Sequence, residues 1–288
     1  MKQRTACVLS GGGSLGAVQV GMLKALQERG IVADLLVGTS AGALNAAFLA
    51  SHGVSEKSLV GLADSWRSAR RTHLFPVDPI RHTLALLGRQ QSLFSSRGLR
   101  KMIEGNLDFV DLQEAPLELH VVATDLLSGE EVALSSGDAT DAVLARTAIP
   151  GLLPPVAWGD MALVDGGLAD NAAISVAVAA GANRVFVLPT GYACALTAPP
   201  KSALGVAMHA VTLLIQQRLI TDVTHYADRM DLHVLPPLCP LAVSAIDFDR
   251  ADELINRAHV ASSAWIDDGG LNRPHPEAFL AVHRHHGI

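Results

Sequence analysis

Short apolar runs alternate along the chain with longer stretches in which apolar residues recur every three or four positions. The first pattern predicts buried strands and the second predicts helices. The predicted strands are residues 5–9, 35–37, 117–124, 131–135, 161–164, 184–188 and 232–235. The predicted helices are residues 15–29, 43–50, 58–69, 80–87, 99–107, 138–147, 174–180 and 203–226. Strands and helices therefore alternate, except where successive helices separate the second strand from the third.

This alternation predicts an α/β fold with three layers, in which helices cover both faces of a mainly parallel central sheet. In such a sheet, functional groups gather at the carboxyl ends of the strands. The glycine-rich segment 10–13, Ser40 and Asp165 each follow a predicted strand directly. We therefore expect these three features to belong to one site.

The composition favours a single enzyme-sized domain. A chain of 288 residues, 49% hydrophobic and 17% charged, can bury a large core. No repeat, low-complexity tract or long linker divides it, so we expect one domain over residues 1–288. The formal net charge of −6 and the lack of a basic stripe argue against a nucleic-acid partner.

Neither the cysteines nor the carboxylates follow a metal-binding pattern. Cys7, Cys194 and Cys239 lie far apart without a C-x-x-C spacing, which favours neither zinc nor disulfides and fits a reducing compartment. One cluster of carboxylates lacks the glycine of a calcium loop, and we interpret it as the exposed start of a helix. Its members are Asp247, Asp249, Asp252 and Glu253. We expect no metal and no cofactor.

Residues 35–55 contain no Asp, Glu, Lys or Arg and approach the length of a transmembrane helix. A Gly-Thr-Ser-Ala-Gly turn, Asn45 and His52 interrupt the segment, so a buried strand and helix explain it better. The N-terminal residues also lack the apolar core of a secretion signal. We expect a cytoplasmic protein without a transmembrane segment, with peripheral binding at a membrane surface left open.

Ser40 is a candidate nucleophile because residues 38–42 read Gly-Thr-Ser-Ala-Gly, between a predicted strand and a predicted helix. Glycines on both sides of a serine permit the sharp turn that exposes its hydroxyl. The helix that follows offers unpaired N–H groups, which favour the negative charge that develops when serine attacks a carbonyl.

Residues 11–16, Gly-Gly-Gly-Ser-Leu-Gly, fit two kinds of site. The pattern G-x-G-x-x-G after a first strand is the fingerprint of a dinucleotide site. Such a site needs an acidic residue at the far end of the second strand, whereas Asp34 precedes that strand. The same loop can present N–H groups to an oxyanion, because glycine lets a reacting carbonyl approach the backbone. We favour the oxyanion loop.

A nucleophilic serine needs a base, and the chain offers 12 histidines and one well-placed aspartate. A hydrolase of the α/β-hydrolase type has several strands before its nucleophile, but only about two fit before Ser40. Asp165 follows an apolar strand and precedes two glycines, an arrangement that exposes its side chain, and we favour it as the base. Core or surface positions explain the late histidines better. These are His209, His233, His283, His285 and His286.

Three ordered motifs, at residues 11–16, 38–42 and 165–167, resemble the signature blocks of the patatin-like phospholipase family. The likeness covers roughly residues 5–190, and C-terminal helices would complete the domain. Further matching segments are residues 123–125, 135–137, 147–150 and 154–156. The resemblance implies a patatin-like fold and a Ser40–Asp165 dyad, without a catalytic histidine, that hydrolyses lipid acyl esters of the phospholipase A or lysophospholipase type.

The resemblance also implies roles for the backbone around the dyad. The implied oxyanion donors are the N–H groups of Gly11, Gly12, Gly13 and Ala41. The glycines that support the motifs are Gly16, Gly38, Gly42, Gly166 and Gly167. Two positions depart from the family pattern: many members carry a basic residue where this chain has Leu15, and often a proline where it has Ala173.

The implied partner is a lipid or membrane-surface ester substrate, and two other functions stay open. One is a histidine-dependent esterase that acts on small soluble esters, and the other is a non-catalytic domain that binds lipid or a nucleotide. One further cluster has two interpretations, a patch for lipid headgroups or a charged helix end. It consists of Trp66, Arg67, Arg70 and Arg71.

Overall fold

The computed structural model describes residues 3–191, 199–239, 241 and 243–280. Its strands are β1 (Thr5–Leu9), β2 (Leu35–Gly38), β3 (Glu118–Asp125), β4 (Glu131–Leu134), β5 (Val156–Trp158), β6 (Met161–Asp165), β7 (Arg184–Leu188) and β8 (Asp231–Val234). Its α-helices are α1 (Ala17–Gln27), α2 (Ala41–His52), α3 (Glu56–Ser68), α4 (Arg71–Leu74), α5 (Pro79–Leu86), α6 (Arg97–Glu104), α7 (Ala139–Ala145), α8 (Ile174–Ala179), α9 (Ala203–Ala227) and α10 (Ala251–Asp267).

The strands form one mixed sheet in the order β5-β6-β3-β2-β1-β7-β8, and β4 also pairs with β3. Five adjacent strands, β3, β2, β1, β7 and β8, are parallel to one another. The other three strands, β4, β5 and β6, add antiparallel pairs on the β3 side. The α/β fold with a mainly parallel sheet is confirmed, and its antiparallel part brings β6 next to β3.

Helices cover both faces of the sheet. Successive residues of a strand point to opposite faces, so each strand contributes apolar side chains to a core on either side. In β1, Cys7 and Leu9 pack into the larger core together with residues of α1, α2 and α10. Ala6 and Val8 point the other way, into a second core formed with α8 and α9. The three predicted layers are therefore present, and β1 lies between the two cores.

The uncharged segment 35–55 forms β2 and α2, whose side chains are mostly buried, as expected. Within the described ranges, no helix combines the length and the apolar composition that crossing a membrane would require.

Two elements, α4 and β5, were not predicted, and only the start of α10 was. β5 has three residues and pairs with β6 across a tight turn, in which Gly159 adopts a φ of 56°. So short a strand shows no readable alternation of apolar and polar residues. α10 begins at Ala251, with Asp252 and Glu253 in its first turn, so the carboxylate cluster does mark a helix start. α1 starts later than predicted, because Gly13–Gly16 forms a 3-10 turn.

Candidate active site

Ser40 lies at the turn between the end of β2 and the start of α2. Its φ of 51° and ψ of −124° lie outside the regions that residues with a side chain usually adopt. Gly42 makes the turn possible, because a Cβ atom there would lie 2.1 Å from the carbonyl oxygen of Leu9. The strand-turn-helix predicted from the G-x-S-x-G pattern is therefore formed, with Ser40 only 8% exposed.

Asp165 reaches Ser40 through the antiparallel pairing of β6 with β3, in which Ala123 faces Asp165. The Asp165 carboxylate accepts a hydrogen bond from the N–H of Gly167 at 2.8 Å and another from the side chain of Ser40. Gly166 permits this sharp turn, since a Cβ atom there would lie 2.0 Å from the carbonyl oxygen of Val122. The fold thus brings together the two candidate catalytic residues of the sequence.

Burial raises the pKa of the Asp165 carboxyl to about 6. Hydrogen bonds from Ser40 and Gly167 and the charge of Arg146 act in the opposite direction. The carboxyl is therefore mostly ionised at neutral pH. It is also a stronger base than an aspartate of ordinary pKa near ~3.9, which makes it better suited to accept a proton from serine.

Arg146 is a fully buried charged side chain that the sequence analysis did not single out. Its Nη1 donates to the carbonyl oxygen of Gly38 at 2.8 Å, and its Nε donates to that of Ala142 at 3.2 Å. Burial lowers the pKa of the guanidinium, while the charge of Asp165 raises it. Arginine remains protonated in proteins, so Arg146 places a positive charge near Asp165. The only hint in the sequence was that Arg146 directly follows the run Ala-Val-Leu-Ala at the end of α7.

The glycine loop lies against the nucleophile, since a Cβ atom at Gly11 would lie 2.7 Å from the Cβ atom of Ser40. The N–H of Gly11 already donates to Asn171, to Oδ1 at 3.1 Å and to the carbonyl oxygen at 3.3 Å. No acceptor among the described residues pairs with the N–H groups of the other three implied donors, which are Gly12, Gly13 and Ala41. These three N–H groups therefore remain candidate oxyanion donors.

Three buried or half-buried polar side chains hold the loop, and sequence reasoning missed all of them. Asn171 bonds Gly11 as described above, and Thr190 Oγ1 donates to the carbonyl oxygen of Gly11 at 2.6 Å. Gln19 Nε2 donates to the carbonyl oxygen of Ser10 at 2.9 Å. In the sequence, Gln19 could have been noticed as an amide within an otherwise apolar stretch of α1, where the structure buries it fully. Asn171 and Thr190 lie in the segments that follow β6 and β7, and nothing in the local sequence distinguishes them.

An apolar pocket of ≈ 830 Å³, including its opening to solvent, adjoins Ser40. Gly13, Ser40 and Ala41 are among the residues that line it. Its wall comes from α2, α3 and α6 and from the chain around α4, so the helical insertion after β2 surrounds most of the space. The main apolar wall residues are Phe48, Leu62, Leu74, Phe75, Leu99 and Met102. Such a lining suits a hydrocarbon chain rather than a charged ligand.

Trp66 is part of this wall, so it takes no part in the lipid-headgroup patch that was one interpretation of the cluster at residues 66–71. It is 7% exposed, and its Nε1 donates to Asn45 Oδ1 at 2.7 Å. Arg67 pairs with Asp64 at 2.8 Å and with Asp252 at 2.6 Å, as expected of a charged helix end.

The two departures from the family pattern occupy ordinary packing positions. Leu15 is half-buried against the larger core, and Ala173 is fully buried just before α8. Gly16 fits under Trp66, whose ring would lie 2.6 Å from a Cβ atom at this position.

The residues that would support other functions lie elsewhere. The Asp34 carboxylate accepts the N–H of Thr5 at 2.8 Å, at the opposite end of β2 from the glycine loop. His233 pairs with Asp231 at 2.7 Å, and His209 is half-buried on α9. Within the part of the chain that the structure describes, no histidine lines the pocket beside Ser40.

Four of the residues discussed from the sequence lie outside the described residues: Cys194, His283, His285 and His286.

The fold and this arrangement define a class of protein, the three-layer α/β proteins with a serine at a strained strand-to-helix turn and a carboxylate at the end of another strand of the same sheet. A sequence model described as patatin-like phospholipase matches residues 7–178, more than half of the chain. The chain belongs to the patatin-like phospholipase family.

Similar proteins include an uncharacterised NTE family protein of Mycobacterium tuberculosis, 25% identical over 90% of this chain and 46% of that protein. A lysophospholipase named NTE1 of Pyricularia oryzae is 28% identical over 64% of this chain and 12% of its own length. The chain thus spans less than half the length of these relatives. Among solved structures, VipD from Legionella pneumophila matches with a TM-score of 0.49 and 16% identity over 93% of this chain and 67% of that one.

Proposed function

We propose that this chain is a serine acyl hydrolase that cleaves carboxylic esters of lipids through a dyad of Ser40 and Asp165. The observation that carries this proposal is the buried pair of these side chains beside free N–H groups and an apolar pocket. Membership of the patatin-like phospholipase family and the lysophospholipase name of one relative support a lipid ester as the substrate.

In the first half of the proposed reaction, the Ser40 oxygen attacks the ester carbonyl while its proton passes to the Asp165 carboxylate. The carbonyl oxygen becomes an oxyanion, and we assign its binding to the N–H groups of Gly12, Gly13 and Ala41, which donate to no described backbone acceptor. We assign Gly11 the role of holding this loop in place through Asn171. Collapse of the intermediate breaks the ester bond, and Asp165 returns its proton to the departing alcohol.

In the second half, a water molecule gives its proton to Asp165 and attacks the acyl group on Ser40. The same oxyanion donors bind the second intermediate. Its collapse releases the fatty acid, and the proton on Asp165 returns to the Ser40 oxygen. Two properties of Asp165 suit this cycle: a pKa of about 6 and a fixed position, through the N–H of Gly167 at 2.8 Å.

The pocket indicates which part of the substrate enters the protein. Its lining is mainly apolar and includes Ser40, so we assign the acyl chain to it. The alcohol side, which carries the headgroup in a phospholipid or lysophospholipid, would then remain towards the solvent opening.

The proposal predicts that a fluorophosphonate probe labels Ser40 and that Ser40→Ala abolishes both labelling and hydrolysis of a medium-chain ester. The fold should survive, because alanine leaves the packing of the turn unchanged. Asp165→Asn should retain Ser40 but lower turnover by at least about 10³, even at raised pH, because an amide cannot accept the serine proton.

Ser68→Ala is a matched control, because this exposed hydroxyl bonds only the carbonyl oxygen of Ser65. Residual activity of Ser40→Ala within tenfold of the unchanged protein would refute the nucleophile assignment. Binding of lipid without labelling or turnover in the unchanged protein would instead support a non-catalytic lipid-binding domain.

A further inference from the structure

A basic stretch occurs between residues 70 and 101, although the chain as a whole is acidic. It contains seven Arg or Lys residues and one acidic residue, Asp78, in a chain of net charge −6. Asp78 is engaged as the N-cap of α5, where its carboxylate accepts the N–H groups of Ile80 and Arg81 at 3.0 Å. Most of the cations form no ion pair with a described carboxylate, in contrast to Arg100, which pairs with Asp141 and Glu104. The unpaired cations are Arg70, Arg71, Arg81, Arg89, Arg97 and Lys101.

Large apolar side chains lie exposed among these cations. None of the residues of α5 is buried, although the helix contains an isoleucine and two leucines. In and around α5, four apolar side chains are between 65% and 84% exposed: Val77, Ile80, Leu86 and Leu87. Together with the exposed Arg71 and Arg89, these four lie on one short segment, residues 71–89, and we call this set the α5 surface. An exposed apolar cluster edged with cations is typical of an interaction site.

The segment that carries the α5 surface is anchored beside the wall of the pocket. Phe75, which lines the pocket, precedes α5, and Phe94 follows it. Their ring centroids lie 5.5 Å apart in an edge-to-face contact. The N–H of Phe94 also donates to the carbonyl oxygen of Leu152 at 2.8 Å. The chain between these two phenylalanines therefore leaves the body of the protein at the pocket wall and returns to it there.

We propose that the α5 surface docks the protein on a lipid bilayer that contains anionic phospholipid. The apolar side chains would enter the boundary between headgroups and acyl chains, and the exposed Arg71 and Arg89 would contact the phosphates. Docking there would bring the pocket wall against the bilayer, so that an acyl chain could enter without crossing water. The inference rests on the proposed function only for this last step, because membrane binding itself requires no catalysis.

Charge favours a bilayer over a second copy of this chain as the occupant. Two α5 surfaces facing each other would bring their unpaired cations together without acidic partners, a repulsion that an anionic membrane replaces with attraction.

The test measures binding to vesicles of phosphatidylcholine with about 30% phosphatidylglycerol, in a Ser40→Ala background so that no lipid is consumed. We expect binding that weakens with salt and is much weaker on pure phosphatidylcholine. Arg71→Gln with Arg89→Gln should weaken it about 30-fold, the effect of two cations near an anionic surface. Ile80→Ser with Leu87→Ser should also weaken it by at least about tenfold.

Matched controls remove the same kinds of exposed side chain elsewhere. Lys57→Gln with Arg273→Gln is the charge control, and Val60→Ser with Val260→Ser is the apolar control. Both should leave vesicle binding unchanged, apart from a small general charge effect. With Ser40 restored, the α5 variants should hydrolyse a short soluble ester at the normal rate but hydrolyse vesicle lipid more slowly.

Several results would overturn the docking proposal alone. These are α5 variants that bind vesicles as well as their controls do, or an apolar variant that converts a dimer to a monomer without changing vesicle binding. Absence of hydrolysis in every assay, with vesicle binding still dependent on α5, would refute the proposed function and leave the docking site supported.

Discussion

Ser40 holds a backbone conformation that costs on the order of 1–3 kcal/mol for a residue with a side chain. The surroundings enforce it, because β2 leads into the turn and α2 continues from it with no room for a side chain at Gly42. A serine held in this way cannot rotate away from Asp165 by relaxing its backbone. The surroundings therefore preserve the distance over which the proton would move in the proposed reaction.

At the same scale, Arg146 should set the pH at which Asp165 becomes active. Arg146→Gln removes the positive charge but keeps a side-chain amide that can donate, so the acid limb of kcat against pH should move upward by about one unit. Arg146→Lys should leave this limb closer to its original position, because the charge remains. Profiles of kcat and kcat/KM with a soluble ester would measure both.

A purely structural role of Arg146 predicts a different outcome, in which both variants lose activity equally at every pH and the limb stays in place. Thermal unfolding of the two variants would show how much of any loss comes from the bond to Gly38.

At the scale of elements, the glycine loop is a short segment held by distant parts of the chain. Gln19 on α1, Asn171 after β6 and Thr190 after β7 each hydrogen bond its backbone. The Cβ atom of an alanine at Gly12 would lie 2.1 Å from Thr190 Oγ1, so substituting the glycine itself would displace the loop. The supporting side chains offer a cleaner way to test it.

Thr190→Val removes the hydroxyl that donates to the carbonyl oxygen of Gly11 at 2.6 Å and keeps the shape of the side chain. We expect acylation of Ser40 to slow about tenfold, because the neighbouring N–H donors lose their fixed position. Single-turnover acylation by a chromogenic ester measures this. Thr190→Ser retains the hydroxyl and serves as the control. Equal loss of binding of a non-hydrolysable lipid ether would assign the loop to the pocket instead of the transition state.

Local pattern was sufficient to predict most elements and both residues of the candidate dyad. Continuous apolar runs identified β1, β2 and β7, and glycines around Ser40 and Asp165 marked strand ends. Arg146 and Thr190 could not be assigned in this way, because their partners are distant in sequence and appear only once the sheet is assembled. The helices of the insertion were predicted, but the pocket between them depends on tertiary packing.

At the scale of the whole molecule, the ionisation of Asp165 couples activity to stability. Its pKa is about 6 in the folded protein and near ~3.9 in the unfolded chain, so the folded state binds the proton more tightly. The free energy of unfolding should fall as pH rises from about 4 through about 6, by about 3 kcal/mol for this group. Ionisation of Asp165 is therefore needed for the proposed reaction but lowers the stability of the fold.

Asp165→Asn should accordingly raise the free energy of unfolding at pH 8 by up to about 3 kcal/mol and have little effect near pH 4. The asparagine oxygen can still accept the N–H of Gly167. Urea unfolding at several pH values measures the difference, with the exposed Asp160→Asn as the control. If the variant were less stable than the unchanged protein at pH 8, the attraction between Asp165 and Arg146 would stabilise the fold by more than the burial of the Asp165 charge destabilises it.

The position of β1 in the centre of the sheet also affects how the protein is made. Thr5 pairs with Arg184, so one edge of β1 stays open until β7 has been synthesised. At 5–20 residues per second, that wait lasts on the order of 10–40 s. During this time β1, which is buried in the folded protein, exposes unpaired backbone N–H and C=O groups to other chains. In a chain that terminates before β7, this edge of β1 is never covered. Slower translation or premature termination upstream of residue 184 should therefore favour aggregation, and a chaperone that covers β1 should favour folding.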